Sequence, residues 1–147
     1  MIGNVQPGRI EYHEKLRELT GKLGCDYFAK IVLRQLITAS AGSRGLRGAV
    51  VSGARHPMEV EHLKLSFPRT TVVMVVSDYR TRFQRCKERH RAGDPKTIED
   101  FIRNDMLELN TGLSEIGYRM TDRIIFNDSC FAEFAKQIRN LFSEVFG

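Results

Sequence analysis

Five arginines set the chemistry that this chain of 147 residues can attempt. Arg82, Arg85 and Arg89 fall at i, i+3 and i+7, which on a helix places them along one face. Arg91 follows beside Gly93, a natural hinge, and Arg55 stands two residues after Ser52-Gly53, at the end of the apolar run Ala49-Val50-Val51. A guanidinium is a planar fork matched to phosphate oxygens, and a glycine ahead of it lets the backbone turn sharply and approach a ligand. The pattern suits an anion grip, in which arginines on a movable segment neutralise a phosphoryl group in transfer and exclude water. Each piece also has a plainer reading. Arg55 can cap or pair with a neighbouring helix, and an arginine-rich helix is often a solvated face.

The net charge of +5 matters less than its distribution: Arg80, Arg82, Arg85, Lys87, Arg89 and Arg91 crowd a stretch whose one acid is Glu88, with Lys96 just beyond. Such a block fits a polyanion, either nucleic acid or the phosphates of a nucleotide. No zinc finger, RNP-type element or aromatic stacking motif accompanies it, so nucleic acid is not the expected partner. Asp105 and Glu108, three apart, share a helix face, and pairing with Arg103 or Arg119 is the expected role. His13, His56, His62 and His90 show neither a nearby nucleophile nor metal-ligand spacing, and His56 alone adjoins the arginine turn. Cys25, Cys86 and Cys130 are widely spaced, so no metal site is expected. They read as reduced thiols of a cytoplasmic protein, with Cys86 a plain helical thiol.

The elements that must carry these residues can be read from periodicity. Residues 1–10 read as loop, followed by a helix with Tyr12, Leu16, Leu19 and Leu23, and a second helix capped by Asp26 with Phe28, Ile31, Val32, Leu36 and Ile37 on its apolar face. Gly42 to Gly48 reads as a basic linker. A short strand, Ala49 to Val51, precedes a helix that starts with Pro57 at its first position. Thr71 to Val76 is a second strand, apolar on consecutive residues as when helices cover both sheet faces. Asp78 caps the basic helix, Asp94-Pro95 opens the next, and a shorter helix follows Gly112. Arg123 to Phe126 is a third strand, and a final helix carries Phe131, Phe134, Ile138, Leu141 and Val145.

Strands alternating with helices predict one α/β domain over residues 1–147, three-layered, with a mainly parallel sheet flanked by helices. In such sheets ligands gather at the carboxyl ends of strands, which puts Ser52, Gly53, Arg55, Ser77 and Asn127 on one edge. The apolar runs fall far short of the ~18 residues a membrane span needs, and no signal peptide is evident, so a soluble protein is expected.

From Val50 to Phe142 the chain resembles the P-loop nucleotide kinases of the dephospho-CoA kinase-like and adenylate kinase-like groups. The residues that carry the resemblance are Val51-Ser52-Gly53-Ala54-Arg55-His56-Pro57-Met58-Glu59-Val60-Glu61, then Thr81-Arg82-Phe83-Gln84-Arg85 with Lys87, Arg89, Arg91 and Asp94-Pro95-Lys96-Thr97. Phe101, Asp105, Glu108-Leu109 and Thr121-Asp122-Arg123-Ile124-Ile125-Phe126-Asn127 continue it. The resemblance implies ATP with Mg²⁺ as phosphoryl donor and a nucleotide or nucleoside-like acceptor. It implies that Ser52, Gly53, Arg55, Arg82 and Arg85 bind substrate, that Arg89 and Arg91 are catalytic lid arginines, and that Asn127 lies on the adenine side.

Two departures matter. Ser52-Gly53 stands where such kinases usually have Asp-Gly, and no Gly-x-x-x-x-Gly-Lys-Ser/Thr loop with its strand occurs anywhere in the chain. That strand is expected between the one ending at Ser52 and the one ending at Ser77, so its absence leaves two edges with unpaired amides. An upstream segment, direct pairing of the two strands, or a second copy or partner chain completing the sheet would each resolve this. Besides a nucleotide kinase-like phosphotransferase, two other readings stand: a non-catalytic nucleotide- or partner-binding relic of the same fold, and a basic nucleic-acid-binding accessory domain.

Overall fold

A computed structural model describes residues 9–41, 48–91 and 93–147. The basic run 42–47 and residues 1–8, read above as linker and loop, lie outside the described residues; Arg9 and Ile10, read as the end of that loop, instead open the first helix. Helix α1 (Arg9–Leu23) runs through Gly21 and stops before Gly24, and α2 (Tyr27–Ser40) follows. Asp26 occupies the cap position of α2, but its carboxylate makes no capping bond; it pairs with Lys30 at 2.9 Å and His62 at 3.2 Å.

Helix α3 (Pro57–Ser66) starts as the proline predicts, and its entry is a reciprocal cap. The amide of Met58 donates to His56 Nδ1 at 3.3 Å, while the buried Glu59 carboxylate accepts from the amides of Arg55 and His56. Ala29 and Leu33 of α2 close on Leu63 of α3 to form the described core cluster, with Val32 against it.

Strand β1 (Val73–Val76) and strand β2 (Arg123–Phe126) pair in parallel, Val73 opposite Arg123 and Val76 opposite Phe126. Between them run α4 (Tyr79–Arg89), α5 (Ile98–Glu108) and two π-helical turns, Leu109–Leu113 and Ile116–Met120; α6 (Phe131–Phe146) closes the order. Asp78 caps α4 as expected, accepting from the amides of Arg80 and Thr81. Helix α5 begins later than Asp94-Pro95 suggests, because Thr97 supplies the side-chain oxygen that accepts the Asp100 amide at 3.1 Å.

The architecture is therefore mixed α/β with a small parallel sheet flanked by helices. The expected strand Ala49 to Val51 forms no ladder: residues 48–55 carry no regular structure, and Val50 is 74% exposed. The run has the apolar composition of a buried strand but no described neighbour to bond with, and composition alone cannot make a ladder. The carbonyls of Val72 and Val76 accept from β2, so by the two-residue period Val73 and Val75 turn their peptide groups to the other side. Among the described residues no strand pairs with that outer edge of β1. The outer edge of β2 is treated differently. Gln137 of α6 accepts from the Phe126 amide at 3.3 Å and donates to its carbonyl at 2.9 Å, so a side-chain amide takes the place of a neighbouring strand.

The two-stranded sheet leaves part of its apolar surface uncovered. Ile125 is buried, whereas Ile124, Phe126 and Val75 each remain more than half exposed. Among the described residues, no helix is long and apolar enough to cross a membrane.

Candidate anion-binding edge

The carboxyl ends of the two strands are tied together before any ligand is considered. The Asn127 amide donates to Val76 O at 2.8 Å, and Asp128 accepts from the Ser77 hydroxyl at 2.8 Å and the Asp78 amide at 2.6 Å. Those two donors, chiefly the Asp78 amide, hold the Asp128 carboxyl below its ordinary range. Asp122 does the same work at the other end of the strands. Its carboxylate takes the Val72 amide at 2.7 Å and faces Lys64 at 3.2 Å, and its pKa is lowered, first by that amide.

Onto this edge α4 delivers its arginines. Arg82 donates Nε to Ser77 O at 2.9 Å and engages Asp105 of α5 with both terminal nitrogens, its planar group lying 5.3 Å from the centre of the Phe101 ring. The Asp105 carboxylate raises its pKa. Arg85 reaches across to the segment after β2, donating to Asn127 O at 2.6 Å and Ser129 O at 3.4 Å. Arg89, one turn further along α4, grips Asp94 with two bonds of 2.7 Å, which raise its pKa. Arg91 lies exposed beyond a left-handed His90.

Arg55 reaches α5 from the turn before α3. Its Nε is 3.6 Å from Glu108 Oε2. Glu108 and Asp105 are three apart on α5, so they share a face, and one turn of that helix holds Arg55 and Arg82 near each other. Gly53 adopts φ +91, the conformation that favours glycine, and open space lies where its side chain would be. Ser52 is exposed in the same irregular segment.

The structure thus brings Arg82, Arg85, Ser77 and Asn127 to one edge, sets Arg55 against the α5 turn that also holds Arg82, and gives Arg82, Arg85 and Arg89 definite protein partners. Asn127 contributes its main chain to the ladder and to Arg85. Asp105 and Glu108 do not pair with Arg103 or Arg119, which turn instead to Asp100 and Glu115 on their own helices. The difference has a cause visible in sequence: Asp105 and Glu108 stand four and seven residues after buried Phe101, on the inward face of α5, where a carboxylate needs a cation. Glu59, Asp94 and Asp128 are the other acids on which the arrangement depends.

Among the described residues, no group of three or more His, Cys, Asp and Glu side chains is placed to hold a metal ion. The two acids nearest the arginine pair, Glu108 and Asp105, face guanidinium groups. What the edge can do is exchange a carboxylate for a phosphate at a guanidinium fork already oriented by its neighbours.

No family model matches the chain. A UPF0200 protein of Pyrococcus furiosus is 39% identical over 99 residues, 66% of this chain and 53% of that protein. Another from Staphylothermus marinus is 31% identical over 132 residues, 90% of this chain and 68% of that one. A third, from Saccharolobus islandicus, is 32% identical over 143 residues, 95% of this chain and 71% of its own length. The chain spans about half the length of the Pyrococcus relatives it matches.

Proposed function

For this chain, which belongs to the UPF0200 protein family, we propose the role of the acceptor-side, phosphate-gripping part of a P-loop nucleotide kinase-like phosphotransferase. The observation that carries it is the placement of Arg55 and Arg82 within one turn of α5, at the carboxyl edge of a parallel sheet whose β1 edge is open. A nucleotide-like phosphate would enter over Gly53, where backbone can approach closely, and take the guanidinium of Arg55. In this reading a further strand with a phosphate loop fills the place between Ala49–Val51 and β1, giving the three-layer sheet of the kinase fold and supplying the ATP and Mg²⁺ site. That strand comes from another segment or another chain. Arg89 and Arg91 would then be the arginines of a lid hinged at Gly93.

A second reading rests on its own observation. Arg82, Arg85 and Arg89 are all engaged by protein groups, which suits a nucleotide- or partner-binding domain without catalysis as well as it suits an enzyme. The same engagement weighs against a nucleic-acid-binding stripe, which needs its cations presented outward.

Isothermal titration with AMP, ATP and tripolyphosphate tests both, followed by a coupled assay for ADP. Binding that falls about tenfold on Arg55→Ala, the loss of about 1.4 kcal/mol expected for one charge-assisted contact, supports the grip. Turnover separates enzyme from relic. Unchanged affinity in Arg55→Ala removes Arg55 from the site.

A further inference from the structure

The chain kinks at Gly112, inside the π-helical turn that continues α5, with φ +123 and ψ −4. Gly112 stands four residues after Glu108, and although the kink breaks the helix there, its Cα lies against the Arg55 turn. A Cβ at this position would lie 2.6 Å from Pro57 Cδ and 3.1 Å from the carbonyl oxygen of Arg55. Neither obstacle can swing aside, since one is main chain and the other a ring fixed to it at the buried first residue of α3. From its other side the Arg55 turn is held by Glu59, which accepts from the Arg55 amide at 2.8 Å and the His56 amide at 3.1 Å. The Arg55 backbone is therefore clasped between a carboxylate and a glycine. Glu59 fixes its amide, and the missing side chain at Gly112 lets α5 close until Glu108 faces the guanidinium.

We propose that Gly112 is a positioning residue for Arg55, setting the distance between the Arg55 turn and α5. The proposal rests on the reading of Arg55 as a phosphate-gripping residue. An added methyl pushes the turn off α5 and forces an L side chain into a conformation it rarely adopts. The Arg55 fork then leaves Glu108 and the rim.

The test combines Gly112→Ala, Arg55→Ala and the double variant, read by tripolyphosphate titration and by the NMR resonance of the Arg55 Nε–Hε pair, with Glu108→Gln as the reference for a lost partner. Gly112→Ala is expected to weaken tripolyphosphate about tenfold, to add no further loss in the Arg55→Ala background, and to move the Arg55 resonance toward its position in Glu108→Gln. A folded Gly112→Ala protein with that resonance unmoved overturns the proposal, as do affinity losses that simply add. If Arg55→Ala leaves tripolyphosphate binding unchanged, the functional reading of Arg55 falls, and the resonance alone then decides whether Gly112 places it. Should Gly112→Ala fail to fold, the same measurements are made with Pro57→Ala added, which removes the nearest obstructing atom. Failure of that variant to fold also overturns the proposal, because Gly112 is then a determinant of the fold.

Discussion

Replacing Asp105 by asparagine keeps the shape of the side chain and removes the charge that holds Arg82. The two side chains are 37% and 28% exposed, between the surface and the interior. Exposed pairs contribute about 0.2–1 kcal/mol, whereas breaking a buried pair costs about 3–5 kcal/mol. Because Arg82 keeps more than a third of its exposure, solvent screens much of the interaction, and a value near the lower range applies: about 1.5 kcal/mol for Asp105→Asn. For a domain of this size that lowers the melting temperature by about 3–6 °C. Arg82→Ala costs more, about 2 kcal/mol, since it also removes the donor to Ser77 O and the contact with the Phe101 ring. The double variant separates these effects. Urea unfolding of the four proteins should give a coupling of about 1 kcal/mol between the two sites. A coupling below about 0.3 kcal/mol would show that the bidentate pair contributes nothing beyond its separate contacts, and the claim that α5 positions the α4 arginine would fail with it.

Acid should loosen the strand ends first. Asp122 and Asp128 have pKa values lowered in the fold, so the stability they contribute is complete above the ordinary carboxylate range, about pH 4, and is lost as pH falls through their lower folded values. Urea midpoints should stay level from about pH 7 to pH 5 and drop below about pH 4, with a shallower drop in Asp128→Asn; an equally steep drop refutes the assignment. Gln137→Ala exposes the edge of β2, and hydrogen exchange at the Phe126 amide should accelerate while that at Asn127, bonded to Val76 O, stays slow. Equal acceleration at both would mean that the whole ladder opens as one unit.

Local signals were legible where one or two residues fix a boundary. Pro57 starts α3, Asp78 caps α4, and Arg123 to Phe126 is a strand with the bounds its composition suggests. Two of the misses share a cause, since each depends on a partner far along the chain. Ala49 to Val51 has strand-forming composition, but a ladder is a property of two segments, and the second is not among the described residues. Arg82 meets Asp105 across 23 residues, a distance at which helix-face arithmetic has nothing to say. The usable clue was the position of Asp105 and Glu108 on the Phe101 side of α5, which marks them as acids that must find cations from elsewhere in the fold.

That pairing changes what the basic block means. Counted along the sequence, the arginines of α4 look like surplus charge waiting for a polyanion. In the fold, Arg82 faces Asp105, Arg89 faces Asp94 and Arg55 faces Glu108, so each of these forks meets a carboxylate of the same chain. These pairs offset part of the block's charge, while Arg85 meets main-chain carbonyls, so less unmatched charge faces an anion than the sequence suggests. What remains is geometry. A carboxylate held at a planar fork keeps that fork oriented and partly desolvated, and a phosphate that displaces it meets a cation already in place, at the cost of returning the carboxylate to water. Such an exchange discriminates by shape and by the number of oxygens presented, which suits a small phosphorylated ligand over the uniform charge of a nucleic-acid backbone. Beside the Arg55 turn, the space that a side chain at Gly53 would take is open.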